Sequence, residues 1–147
     1  MIKVTYRYVK DGIDRGGKKI PDIPVAWVVL SREEDNLKVV GPCVVDTGFD
    51  GGIYANAELA LSFEGITPDG SEWFYGTGNQ DIECDTYDVE CFLLGEREET
   101  FPIGKVTVYV PTRIENLPEE TIMGREILNR LTINMNGKKL RVHYAEK

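Results

Sequence analysis

A chain of 147 residues with 41% hydrophobic side chains has room for one domain with a real core, and two domains would fit only with difficulty. Its formal charge is −8, from 25 acids against 17 bases, and its basic stretches are short pairs such as Lys18-Lys19 and Lys138-Lys139. That balance argues against a nucleic-acid partner. The three cysteines, Cys43, Cys84 and Cys91, show no Cys-x-x-Cys spacing, which argues against both a zinc site and a disulfide framework. No run approaches membrane-spanning length, and Met1 to Tyr6 lacks a signal peptide's apolar core. The expectation is a soluble cytoplasmic protein without nucleic-acid or membrane partners.

Residues 2 to 9 alternate and carry Val, Thr and Tyr, the pattern of a strand. Asp11-Gly12 and Arg15-Gly16-Gly17 mark a turn or loop that Pro21 and Pro24 close. Ile23 to Leu30, with Val25, Trp27, Val28 and Val29, predicts a buried strand. A charged connection, Ser31 to Asn36, leads back through Leu37 to Val40, and Pro42 is expected to break or bulge the strand that continues to Val45. After Gly52 come a short strand, Ile53 to Ala55, and a brief helical stretch over 57–61 that Asn56 is placed to cap. Glu72 to Leu94 predicts one long hairpin tipped by Gly76-Thr77-Gly78-Asn79, followed by a strand over 105–110. Ile122 to Leu131 predicts a strand, a tight turn at Gly124 and about two turns of helix; Asn136-Gly137 then joins the two arms of a last hairpin. Strands dominate and helices are brief, so the fold class is all-β, closed or barrel-like, in a single domain.

The stretch with chemical content is Cys43-Val44-Val45-Asp46-Thr47-Gly48-Phe49-Asp50-Gly51-Gly52. It places a carboxylate at the mouth of an apolar strand, which is unfavourable unless the carboxylate is held. A threonine hydroxyl and an unobstructed glycine N–H stand next to it to do so. A plain turn is the alternative, since Asp, Thr and Gly are all common turn residues. The segment also faintly resembles a calcium loop, but it lacks the middle ligand and the closing glutamate. His143 is the only histidine, so no His-based triad or zinc site is available. Cys43 is expected to pack as a small apolar group.

Asp46-Thr47-Gly48, a glycine-tipped hairpin and Ile122-Met123-Gly124-Arg125 stand in that order along the chain. In order, spacing and chemistry this arrangement resembles the retropepsin-like aspartic proteases, the single-domain relatives of pepsin that work as homodimers. The resemblance covers roughly residues 39 to 135. It implies a closed, barrel-like retropepsin fold with a flap hairpin and a short C-terminal helix. It also implies roles: Asp46 as catalytic acid, Thr47 fixing two loops across a twofold axis, and Gly48 giving close backbone approach. Asp50 would pair with Arg125 and face the substrate backbone, with Gly124 and Arg125 as structural support, while Gly76, Thr77 and Gly78 would form a mobile flap. Phe49-Asp50 stands where the family commonly has a small residue and then an acid, and the chain departs from viral members in its longer N-terminal region, its C-terminal hairpin and the polar flap residues Asn79-Gln80.

Acid-protease chemistry needs two carboxylates about 3 Å apart that share one proton. One Asp-Thr-Gly per chain meets that need only if a twofold axis brings up the partner's copy, so a homodimer is a chemical demand of the reading. No cofactor or metal is implied. The expected activity is endopeptidase cleavage of extended or unfolded polypeptides; the alternative is a retropepsin-like binding or dimerisation module with little proteolysis.

Overall fold

The computed structural model describes residues 2–75 and 81–144, so the Gly76-Thr77-Gly78 tip lies outside the described residues. Ten strands and two short helices follow in the order β1 (Ile2–Arg7), β2 (Val25–Arg32), β3 (Leu37–Val45), β4 (Ile53–Tyr54), α1 (Ala57–Ser62), β5 (Gly70–Tyr75), β6 (Asp81–Leu94), β7 (Thr100–Pro111), β8 (Ile122–Met123), α2 (Arg125–Leu128), β9 (Thr132–Met135) and β10 (Lys139–Tyr144).

Seven strands form one sheet in the order β2-β3-β8-β4-β7-β6-β5. β2 also pairs with β6, Val28 opposite Leu93 through Ser31 opposite Glu90, so six of them close into a barrel and β5 hangs outside on β6. β2 is apolar on both faces, and Val25, Ala26, Val28, Val29 and Leu30 are all buried. Within the barrel, Ile53, Leu93, Val108, Met123 and Ile127 are fully inaccessible.

Three local features show how the sequence bends to this plan. β3 runs unbroken through Pro42, contrary to the expected break. Val45 N–H donates to Pro24 C=O, which sets the alternation of the ladder and turns the missing N–H of Pro42 away from β2. On that side β3 has a partner only at Val44 and Val45, so no ladder bond is lost. The β6–β7 pairing shifts between Cys91 and Phe92, which lie opposite Gly104 and Pro102. The extra residue is Ile103, and Gly104 takes a φ of +115° beside it. Asn56 caps α1 as expected, accepting from the Leu59 N–H at 3.0 Å.

Outside the barrel, β1, β10 and β9 make a three-stranded sheet, with Ile2 opposite Tyr144 and Arg7 opposite Lys139. Its inner face, Val4, Tyr6, Leu140 and Val142, is buried in the same core as the barrel. The Tyr6 hydroxyl reaches across to donate to the Leu94 carbonyl at 2.8 Å. At the far end, Arg32 contacts Asp69 at 2.6 Å, and the same Asp69 oxygen accepts the Asp88 N–H at 2.8 Å. This pins the loop after α1 to the barrel wall.

Two outcomes test this packing. Leu140→Ala should lower stability by about 2–5 kcal/mol in a single urea transition, and a separate early transition would show the three-stranded sheet unfolding apart from the barrel. The Asp88 N–H, and then Arg32, hold the Asp69 pKa below its ordinary 3.8. A depressed folded pKa gives a contribution that is complete above the unfolded value and lost as pH falls through the folded one. Asp69→Asn should therefore flatten the fall in melting temperature below about pH 4; an unchanged acid limb would show that Asp69 is not among its causes.

Candidate active site

The loop after β3 is held from both sides. Val44 N–H donates to Thr121 C=O at 2.8 Å and Asp46 N–H to Met123 C=O at 3.0 Å, continuing the β3–β8 pairing up to the carboxylate. Asp46 Oδ1 accepts the Gly48 N–H at 2.8 Å, and the Phe49 N–H turns back to the Asp46 carbonyl at 3.3 Å. Asp46 is half-buried, whereas Thr47 and Gly48 are exposed. One carboxylate oxygen is thus fixed by the backbone, and the other accepts no hydrogen bond from the described residues.

The Ile122-Met123-Gly124-Arg125 turn lies directly against this loop. Gly124 N–H donates to Gly52 C=O at 2.8 Å, Arg125 N–H to Phe49 C=O at 2.8 Å and Glu126 N–H to Gly51 C=O at 3.1 Å. These are the otherwise unpartnered donors at the start of α2, spent on the loop's carbonyls. The two motifs read separately in the sequence are therefore one unit. α2 itself is shorter than expected, four residues, with Asn129 as its C-cap.

The expected Asp50–Arg125 ion pair is not formed among the described residues. The backbone bonds already join loop to helix, and both side chains are exposed and line the same cleft. Glu126, which sequence reasoning passed over, does the buried work: its carboxylate accepts the Thr107 N–H at 2.9 Å. Its position two residues after the turn glycine is the one sequence signal that points to it.

The cleft has a volume of about 670 Å³ and runs from Gly48, Phe49 and Asp50 to the flap strand β5. Its wall is an aromatic cluster: Phe49 packs on Phe74, Tyr54 and Tyr109 with ring centres 5.5, 5.7 and 5.9 Å apart, and Phe74 lies 4.9 Å from Tyr109. Phe49 fits because two glycines make room. A Cβ on Gly51 would stand 2.6 Å from Phe49 Cζ, and one on Gly124 would stand 2.5 Å from Phe49 Cδ2 and 2.6 Å from the Phe49 carbonyl. Burial, together with the carboxylates of Glu126, Glu72 and Asp50, pushes the Tyr109 hydroxyl up to about 12. The cysteines take no part: all three are buried, and burial pushes Cys84 and Cys91 up to about 12, which makes them poor nucleophiles.

A closed barrel, a carboxylate loop crossing a Gly-Arg helix turn and a flap strand over the cleft define a retropepsin-like fold. A retropepsin-like aspartic protease from Rickettsia conorii shares it, with a TM-score of 0.56 over 96% of this chain and 98% of that one, at 14% identity. No family model and no curated protein matches the sequence.

Gly124→Ala should destabilise the protein by about 1–3 kcal/mol in urea unfolding. Combining it with Phe49→Ala should not restore stability, because the new methyl still meets the Phe49 and Gly51 carbonyls; full rescue would place the conflict on the ring alone.

Proposed function

We propose that the protein is an aspartic endopeptidase acting as a homodimer, in which Asp46 and the partner subunit's Asp46 share a proton across a twofold axis. The observation that carries this reading is the Asp46 carboxylate itself. One of its oxygens is anchored by the N–H of Gly48, a residue of the cleft lining, and the other accepts no hydrogen bond from the described residues. In such a pair the ionised member takes a proton from water, and the protonated member polarises the scissile carbonyl. The pair titrates as a unit, and activity falls once both acids ionise. Thr47, exposed and without an intrachain partner among the described residues, is free to bond across the axis. A peptide would lie extended between the loop and the open edge of β5, with Phe74 and Phe49 against its side chains. Asp50 would face its backbone, and Gly76, Thr77 and Gly78 would close over it as a flap.

One observation favours the second reading, a retropepsin-like binding or dimerisation module. Both terminal strands are paired within one chain, so an interleaved sheet of termini is not open to two copies without exchange of strands.

Digestion of a denatured protein mixture by wild type and Asp46→Asn from pH 3 to pH 7, read by mass spectrometry, separates the two readings. Internal cuts made only by the wild type, fading towards neutral pH, are expected, with at least about a hundredfold loss in Asp46→Asn. Folded, dimeric protein that cuts nothing would favour the binding module. A strictly monomeric enzyme that retains activity would overturn the shared dyad.

A further inference from the structure

The net charge of −8 hides a sharp segregation. Residues 1–20 and 130–147 hold 11 of the 17 basic residues and 3 of the 25 acids, whereas residues 21–129 hold 6 bases and 22 acids. The fold gathers the basic segments into one place, because they build the three-stranded sheet and the arm that leaves it. The inner face of that sheet is apolar, so strand alternation puts Lys3, Thr5 and Arg7 of β1 and Lys139, Arg141 and His143 of β10 on the outer face. Thr132 and Asn134 of β9 extend the same face, opposite His143 and Arg141.

Not one carboxylate stands among these eight residues, and the cross-strand register sets Arg7 opposite Lys139. Like charges directly opposite destabilise a sheet, so this face is arranged against its own stability. Glu96 and Glu99 border the Lys3 end, which leaves the excess charge concentrated around Arg7, Lys139 and Arg141.

The arm adjoins the sheet. It departs where the Tyr8 N–H donates to the Lys138 carbonyl, closes through the Val9–Ile23 and Ile13–Lys19 bridges, and carries Lys10, Arg15 and Lys18 in the open. Its acids are partly occupied: Asp14 accepts the Gly16 and Lys18 N–H groups, and Asp22 pairs with Lys19 at 2.8 Å. Between these bases stand two uncovered apolar side chains, Ile13 at 69% exposure and Val9 at 46%.

We propose that the outer face of the β1-β10-β9 sheet and the adjoining arm dock on the surface of an anionic lipid bilayer. A basic face without carboxylates meets the headgroup charge, and Ile13 and Val9 supply the apolar contact that a soluble polyanion has no use for. The described exposed rings, Trp27, Trp73 and Tyr75, belong to β2 and β5 of the other sheet, so no aromatic platform for stacking bases accompanies the charge. The acidic barrel does not oppose this docking, since charges more than about 8 Å from the surface are screened at physiological salt. The inference does not depend on proteolysis.

The test is co-sedimentation of the full chain with vesicles of phosphatidylcholine alone and of phosphatidylcholine mixed with phosphatidylglycerol. Binding is expected only to the mixed vesicles and should weaken as salt rises. Arg7→Gln and Arg141→Gln should each lower partitioning about fivefold. Ile13→Ser should lower it without changing the salt dependence, and Arg7→Gln should leave the melting temperature equal or higher. Equal binding to both vesicles, no binding at low salt, or variants that bind like the wild type would overturn the proposal. So would displacement from mixed vesicles by a single-stranded oligonucleotide at equal phosphate concentration, which would reassign the face to nucleic acid.

Discussion

Three backbone hydrogen bonds hold the centre of this molecule together. The N–H groups of Gly124, Arg125 and Glu126 are left over at the start of a helix too short to stand alone, and the carbonyls of Gly52, Phe49 and Gly51 are left over in a loop too irregular to join a sheet. Each set satisfies the other. The exchange places the Asp46 loop against α2, and α2 in turn buries Ile127 and Leu128 in the core. Any motion of the carboxylate loop is therefore tied to the packing of the barrel interior.

That mutual dependence explains which parts of the molecule were legible in the sequence. Asp46-Thr47-Gly48 and Ile122 to Arg125 are contiguous, and their geometry is set by residues a few places apart, such as the Gly48 N–H on Asp46. The Asn136-Gly137 turn was readable for the same reason: Asn136 Oδ1 accepts the N–H groups of Lys138 and Lys139, and Gly137 takes the positive φ. Closure of the barrel by β2 and β6 was not readable beyond its class, because residues some sixty places apart carry no local mark of their register. Pro42 misled because a proline's effect depends on which side of the strand has a neighbour. The Asp50–Arg125 pair misled because charge complementarity says nothing about whether backbone bonds have already joined the two segments.

Phe49 illustrates a coupling that no single position reveals. A bulky ring next to the Asp-Thr-Gly loop is tolerable only with glycine at two sites, one nearby at Gly51 and one far along the chain at Gly124. In return it gives the cleft a continuous aromatic wall across four elements of the chain. Net charge misleads in a related way: an average of −8 is compatible with a strongly basic end, because the first and last segments of the sequence are neighbours in space.

That neighbourhood has a topological consequence. Ile2 and Tyr144 are register partners, so their Cα atoms lie about 5 Å apart, a gap that a few residues would bridge. The Gly16-Gly17 turn is exposed and carries no buried side chain, so new chain ends there would cut no element of the core. A circularly permuted chain beginning at Gly17 would keep every strand pairing of the barrel and of the terminal sheet. The architecture accordingly belongs to the contacts rather than to the order in which the chain visits them.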